Sequence, residues 1–561
     1  MIENTSDMTH HGLQLHDAPD NLATKPMGLA HPEVSIAAMN EPPGEEEELQ
    51  LLRKVTIGKG KPRDYFELSA LLETNGLRDV DARNDWKQPD IFSLAKRLFV
   101  HADKLTYEEQ VFKTDTKKLV VRVISNYAKG AVFALPMLLQ IVSMVIVGFG
   151  IWSYINFSLR QATAISLGTL MALCITGGIS QVIGRKGLYY LKMDEMILAS
   201  IVTKRLFLVG TVLIFVAAVI SVLLNVYFKL FPPDMFQLYI AYFILLSLVF
   251  LSFAVFYMFE SFGTIALLVL FGIICTYFGF EVFKVGIVYS QYISLAIIFI
   301  MSILIILFKL RKIATKSMSE GHLLPSVSSL FFSLYPYFIF GTAYFLFIVM
   351  DRVLAWTGGK KFLPYFFWFN YPYEVGVDWA LIPLIFTLAL VEVYIYELGF
   401  LAFNKIRLIP SIDVKNFNNY FLRVYGIAGI TFALFGVVSI LLAFLFPYFI
   451  LMTGYGKYVE VFFAPIHMFV FFCGSIAYVL LSWSLLNCIT FFSYSRPEFA
   501  LKSLGLGLLV DFLIGYVFSR SLDYYYSVVG LLIGSIVFAV FSTMYALRFF
   551  RRYDFYYYSS Y

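Results

Sequence analysis

Charge is what this chain lacks most. Only 14% of its 561 residues are Asp, Glu, Lys or Arg, against roughly 25% in a soluble globular chain. That shortage excludes a water-facing surface over most of the length. Cysteine is nearly missing too. The four present, Cys174, Cys275, Cys473 and Cys488, sit inside apolar runs with no Cys-x-x-Cys spacing, which argues against a disulfide framework or a zinc site. No Gly-x-x-x-x-Gly-Lys-Ser/Thr occurs, so no phosphate-cradling ATP motor of that kind is built in. The opening MIENTSDMTHHGLQLHD has no apolar core and does not read as a secretory signal. Its His10, His11 and His16 read as part of a polar tail rather than as a metal site.

Apolar residues fill the space that charge leaves. They make up 59% of the chain, including 59 Phe and 38 Tyr, and the mean hydropathy is +0.75. A helix needs about 20 apolar residues to cross a bilayer core. Twelve candidate spans satisfy this, at about 130–152, 163–184, 206–229, 238–258, 262–281, 286–308, 328–350, 379–400, 424–450, 463–488, 500–519 and 527–548, read as hydropathy segments. The expected fold class is an all-α polytopic membrane protein. It has two six-helix lobes, 127–317 and 318–561, the second ending in a short tail.

The first 126 residues differ from the rest. They hold 21 acids and 16 bases, while the remainder holds 17 acids and 27 bases. Residues 1–58 read as a disordered tail, poor in aromatics and carrying Glu45–Glu48. Residues 59–126 read as a short amphipathic helical segment. In it Ile91, Leu94, Ala95, Leu98 and Phe99 share a face behind an Asp90 cap.

Lys and Arg also sort by side. Loops after even-numbered spans, with the C-terminal tail, hold 18, and the opposite loops hold 8. Positive charge stays in the cytoplasm, so both termini are expected inside, in a bacterial inner membrane. The basic residues lie in short loops between apolar runs, a pattern that points to membrane lipid and not to nucleic acid.

Several stretches resemble a known family. Gly177-Gly-Ile-Ser-Gln-Val-Ile-Gly-Arg-Lys186 matches part of the major facilitator loop pattern. A more extended likeness runs through Tyr335-Pro-Tyr-Phe, Asp351-Arg-Val-Leu-Ala-Trp356, Asn370-Tyr-Pro-Tyr373, Leu381-Ile-Pro-Leu and Val391-Glu-Val-Tyr-Ile-Tyr-Glu397. It resembles the Pel exopolysaccharide transporter family of the multidrug/oligosaccharidyl-lipid/polysaccharide (MOP) exporter superfamily, over roughly residues 105–555. The segment after span two is similar as well, with Gly178 where the family has Pro and with Arg185 and Lys186 as its basic continuation. The resemblance implies a MATE-like two-lobe fold, a polysaccharide substrate, a cytoplasmic glycosyltransferase with small membrane subunits as partners, and no cofactor.

The candidate sites carry two readings each. Asp351 and Arg352 would form an outer gate between the lobes, or a helix end in water with Trp356 as an interfacial anchor. Glu392 and Asp511 lie within spans, where a charge costs roughly 2.5–3.5 kcal/mol. They would serve substrate translocation or ion coupling, or pair structurally with a neighbouring helix. Tyr335, Tyr337, Tyr371 and Tyr373, with Tyr365 and Trp368, are expected as aromatics of the outer mouth able to stack on sugar rings. The reading is a transporter, not an enzyme, exporting or flipping an exopolysaccharide by alternating access. The alternatives are cation-coupled efflux of small molecules and a membrane-embedded glycosyl- or acyltransferase.

Overall fold

The computed structural model describes residues 44–56, 61–105, 116–193, 195–316, 327–358, 366–406, 414–452 and 460–559. The histidine cluster and Tyr365 lie outside them. Among the described residues the regular elements are helices, and the sole strand-type pairing is an isolated bridge between Phe149 and Tyr154. The chain divides into two units, residues 1–120 with 396–421, and 121–395 with 422–561.

The first unit opens with four short helices, α1 (Glu45–Thr56), α2 (Tyr65–Thr74), α3 (Asp79–Asn84) and α4 (Ile91–Phe99). Helix α1 corrects the expected tail, which ran to residue 58. Its four glutamates fill the first turn and Arg53 and Lys54 the last, the arrangement that a helix dipole favours. Leu52 and Val55 then join Leu68, Leu72, Leu94 and Leu98 in a small core. Glu48 turns inward to meet Arg97 at 2.5 Å and His101 at 3.2 Å. Helix α4 follows its sequence pattern: Ile91, Leu94, Ala95 and Leu98 are buried, and the Asp90 carboxylate accepts from the Ser93 N–H at 2.7 Å. Such a cap contributes about 1 kcal/mol.

Among the described residues eleven helices are long and apolar enough to cross a membrane, and a bent pair, counted as one span, makes twelve. They are α5 (Thr116–Val147), α6 (Leu159–Lys192), α7 (Met196–Phe228), α8 (Pro233–Met258), α9 (Phe262–Tyr277, prolonged by a π turn to Val282), α10 (Ile287–Lys316), α11 (Val327–Gly358), α12 (Tyr371–Ile406), α13 (Val414–Met452), α14 (Pro465–Ser493), α15 (Pro497–Ser521) and α16 (Ser527–Arg551), with a last short α17 (Tyr553–Tyr558). With twelve crossings, the start of α5 and the end of α16 share one end of the bundle, here called the terminal end. Local chemistry sets the boundaries. Ser158 and Gln161 form a capping box at α6, and Pro opens α8, α14 and α15, where its missing N–H costs nothing. At the other end of α7, Lys229 takes a left-handed conformation and closes the helix onto Asn225.

Helices α6 to α10 pack as one set, and α11 with α14 to α16 as another. Helices α7 and α13 are the least buried. Only 17% and 22% of their span windows are buried, against 61% for α6 and α8, so both lie on the outside of the bundle. Helix α5 bends by 57° between its segments 120–132 and 134–144. Pro136 removes the hydrogen bond to the carbonyl of Val132 and crowds that turn. Its first part meets the second set, with Gly130 against Ala389 and Tyr127 edge-on to Phe435. Its last part joins the first set, where Gln140 accepts from the Ile151 N–H.

Candidate functional site

The polar residues of the second set gather between α11, α12, α14, α15 and α16. Helix α11 does not stop at Asp351 as the hydropathy suggests; it runs on to Gly358. Its last turn is closed by Arg520 of α15, which donates to the Leu354 carbonyl at 3.2 Å and to Thr357 Oγ1 at 2.6 Å. Helix α12 begins at Tyr371, eight residues earlier than expected, and so brings Glu374 and Asp378 alongside.

Arg352 bonds Glu374 at 2.5 Å and Asp378 at 3.0 Å. The Trp356 indole N–H donates to the other Glu374 oxygen at 2.8 Å. The Tyr373 hydroxyl donates to Asp351 at 2.6 Å. Asp351 is fully buried, Glu374 is 3% exposed and Trp356 2%. The expectation of charges in water with an indole anchor is therefore corrected. The side-chain hydrogen-bond partners of Asp351 and Arg352 lie on α12 of their own half. A guanidinium fork holding two carboxylates while a third is capped by a phenol is how such charges tolerate burial.

Asp511 lies beside this network. Gly507 of α15 approaches Phe347, and Gly515 approaches Leu354. The residue midway on α15, Asp511, therefore stands opposite Asp351, its electrostatic neighbour. On its other side α16 comes close enough that a Cβ at Gly534 would lie 2.6 Å from that of Asp511. Asp511 is fully buried, and neither carboxylate oxygen has a hydrogen-bond partner. A buried carboxylate left so costs several kcal/mol unless it takes up a proton or a cation.

The other expected residues are scattered. Glu392 is half-buried on α12, 18 residues or about 27 Å along the helix from Glu374, with its Cβ against Gly130 of α5. The structure pairs Asp511 with Asp351 and leaves Glu392 apart. Arg185 and Lys186 are not in a loop, because α6 continues to Lys192. Lys186 lies over the rings of Tyr189 and Tyr190. Arg185 reaches across to the second set, donating to Ser495 at 3.2 Å with its guanidinium over Tyr337.

That contact also relocates the aromatic cluster. Tyr337 lies 14 residues, about 21 Å, along α11 from Asp351, toward the terminal end, and Tyr335 lies on the same stretch. Tyr373 is buried on Asp351, while Tyr335 near the start of α11 and Tyr371 at the start of α12 are both exposed. They do not form one mouth. Glu374, Asp378 and Asp511's partner-free state were not foreseen. The signal available was the spacing of Glu374 and Asp378, four apart like Arg352 and Trp356, which places each pair on one helical face.

Among the described residues no cluster of three or more His, Cys, Asp or Glu could hold a metal. No protein family's sequence pattern matches the chain, and no curated protein matches it. Solved structures do match in fold. A point mutant of the Vibrio cholerae MATE transporter VcmN is 14% identical with a TM-score of 0.55, covering 78% of this chain and 98% of that one. The bent form of VcmN is 14% identical with a TM-score of 0.52, covering 79% and 100%. The chain shares their all-helical, two-lobe fold.

Proposed function

We propose that this protein is an exporter that works by alternating access between its two lobes, driven by a proton or monovalent cation taken up at Asp511 and Asp351. The observation that carries this is the Asp511 carboxylate, buried without a hydrogen-bond partner in a MATE-type fold. A group so placed has one favourable response to a cation, which is to bind it, and binding changes the electrostatics of the whole α11–α12 network. The terminal end is the cytoplasmic face on the positive-inside reading, with both termini inside a bacterial inner membrane.

The substrate on this reading is an exopolysaccharide. Support comes from the stretch from Tyr335 to Glu397, which resembles the Pel transporter family. A cytoplasmic glycosyltransferase and small membrane subunits would hand the polymer to the transporter. A second reading, cation-coupled efflux of small molecules, is favoured by the MATE neighbours and by the dispersal of the four tyrosines.

The test is a deletion strain of the source organism complemented with wild type, Asp511→Asn or Asp351→Asn, each confirmed to insert. Loss of surface glycan in the deletion and in both variants supports glycan export. Altered drug sensitivity with intact glycan supports the second reading. Wild-type behaviour of both variants removes the carboxylates from the mechanism.

A further inference from the structure

The two halves of the bundle meet at both ends, and the two contacts are built differently. Toward the terminal end helix lies on helix: Gly177 and Gly178 of α6 cross Gly341 and Thr342 of α11, and Arg185 spans to Ser495. At the opposite end the contact is made by residues 366–370, just before α12.

This stretch is fixed to the second half by three bonds. The Trp368 N–H donates to the Trp356 carbonyl at 3.1 Å, Asn370 donates to the Ala355 carbonyl at 3.1 Å, and the Glu374 N–H donates to the Asn370 carbonyl at 3.0 Å. The Phe369 ring stands 5.7 Å from that of Trp356. From there it reaches into the first half. The Phe369 N–H donates to Thr163 Oγ1 of α6 at 3.0 Å. Phe367 packs into a first-half cluster of Ala164, Phe231, Met235 and Tyr239, its ring 6.3 Å from Phe231. The Thr163 hydroxyl donates its own proton to the Leu159 carbonyl at 2.7 Å, which turns its lone pairs toward the Phe369 N–H.

Trp356 joins the latch to the charges. Its backbone carbonyl holds Trp368 and its ring backs Phe369, while its indole N–H is held by Glu374, which Arg352 also grips. A shift of Arg352 or Glu374 when charge changes at the adjoining Asp351 would therefore move the residue on which the strap rests.

We infer that residues 366–370 are a latch closing the opposite end of the bundle, and that Trp356 and Glu374 are positioning residues that tie it to the buried carboxylates. The inference deepens the transport reading above and rests on it for its purpose. Its physical content, a strap that covers Ala164 and depends on Trp356, can be tested without any substrate.

The experiment uses the full chain in liposomes, with the four native cysteines replaced by alanine and a single Ala164→Cys reporter. The probe is a membrane-impermeant maleimide. Ala164 is 1% exposed, so labelling of the parent is slow and requires the latch to open. Phe367→Ala, which removes the anchor, should speed labelling by about tenfold or more, the scale of a local opening that loses one buried aromatic. Trp356→Phe keeps an aromatic ring but deletes the indole N–H held by Glu374 together with the five-membered ring that carries it, and should speed it severalfold. A second reporter, Ala477→Cys in the core of α14, must stay unlabelled in each variant, which excludes general unfolding.

Unchanged labelling in Phe367→Ala overturns the latch. A gain in Phe367→Ala with none in Trp356→Phe overturns the tie to the carboxylates. If instead transport proves indifferent to Asp511 while both labelling gains persist, the functional reading falls and the latch stands.

Discussion

The two halves of the bundle spend their buried polar groups differently. In the described part of the first half, the acids Glu195, Asp234, Glu260 and Glu281 stand at helix ends. Its interior bonds are neutral ones: Gln291 with Tyr242, Gly150 and Ser153, and Thr276 with Ser294. The second half buries Asp351, Arg352, Glu374 and Asp511. Neutral pairs inside a membrane bundle hold a shape. Charges inside one also respond to ions and voltage. Among the described bonds, the first half is held inside by neutral pairs and the second by charged ones as well.

The sharpest test of that contrast is Arg352→Met, which strands Glu374 without its cation. Removing one partner of a buried ion pair costs about 3–5 kcal/mol, seen as a large fall in melting temperature of the detergent-purified protein. Gly177→Leu attacks the seam between the halves. A Cβ there would lie 2.2 Å from the Phe345 ring, and overpacking of this kind costs about 1–3 kcal/mol or more. Gln291→Leu removes the neutral bracket of the first half and should cost about 1–3 kcal/mol through the acceptors and donors it leaves buried. A loss in Gln291→Leu as large as in Arg352→Met would erase the distinction between the halves.

Asp511→Asn should behave in the opposite sense to Arg352→Met. It breaks no bond, so the melting temperature stays level or rises, while any stabilisation by added sodium or by acid disappears. A large destabilisation would make Asp511 a structural anchor. The smallest effect is expected for Leu223→Ala on the lipid face of α7, within about 0.5 kcal/mol, as for other exposed positions.

How much of this was legible depends on what carries the signal. The twelve crossings were, because each is a run of about 20 apolar residues and lipid tolerates little else. The α4 face and its Asp90 cap were legible for a similar local reason. The ends of α11 and α12 were not. A hydropathy window breaks at Asp351, Arg352, Glu374 and Asp378, and cannot register that the charges cancel one another across two helices. Helix α1 was hidden the same way, its four glutamates resembling a solvated tail although Glu48 is spoken for by Arg97 and His101. Asp511 was singled out because a lone acid mid-span is costly wherever it points. Its neighbour Asp351 required the register of α15 on α11, which only the packing supplies.

The crossing of α6 and α11 has a mechanical consequence. Gly177 lies on the Gly341 carbonyl and Gly178 on that of Phe338, with the rings of Phe345 and Phe338 seated against the two glycines. Backbones this close leave no room for either helix to slide without displacing a ring, so any rocking of the halves must turn at this crossing. On the transport cycle proposed above, the distance from that crossing to Phe367 sets how far a small rotation carries the far end.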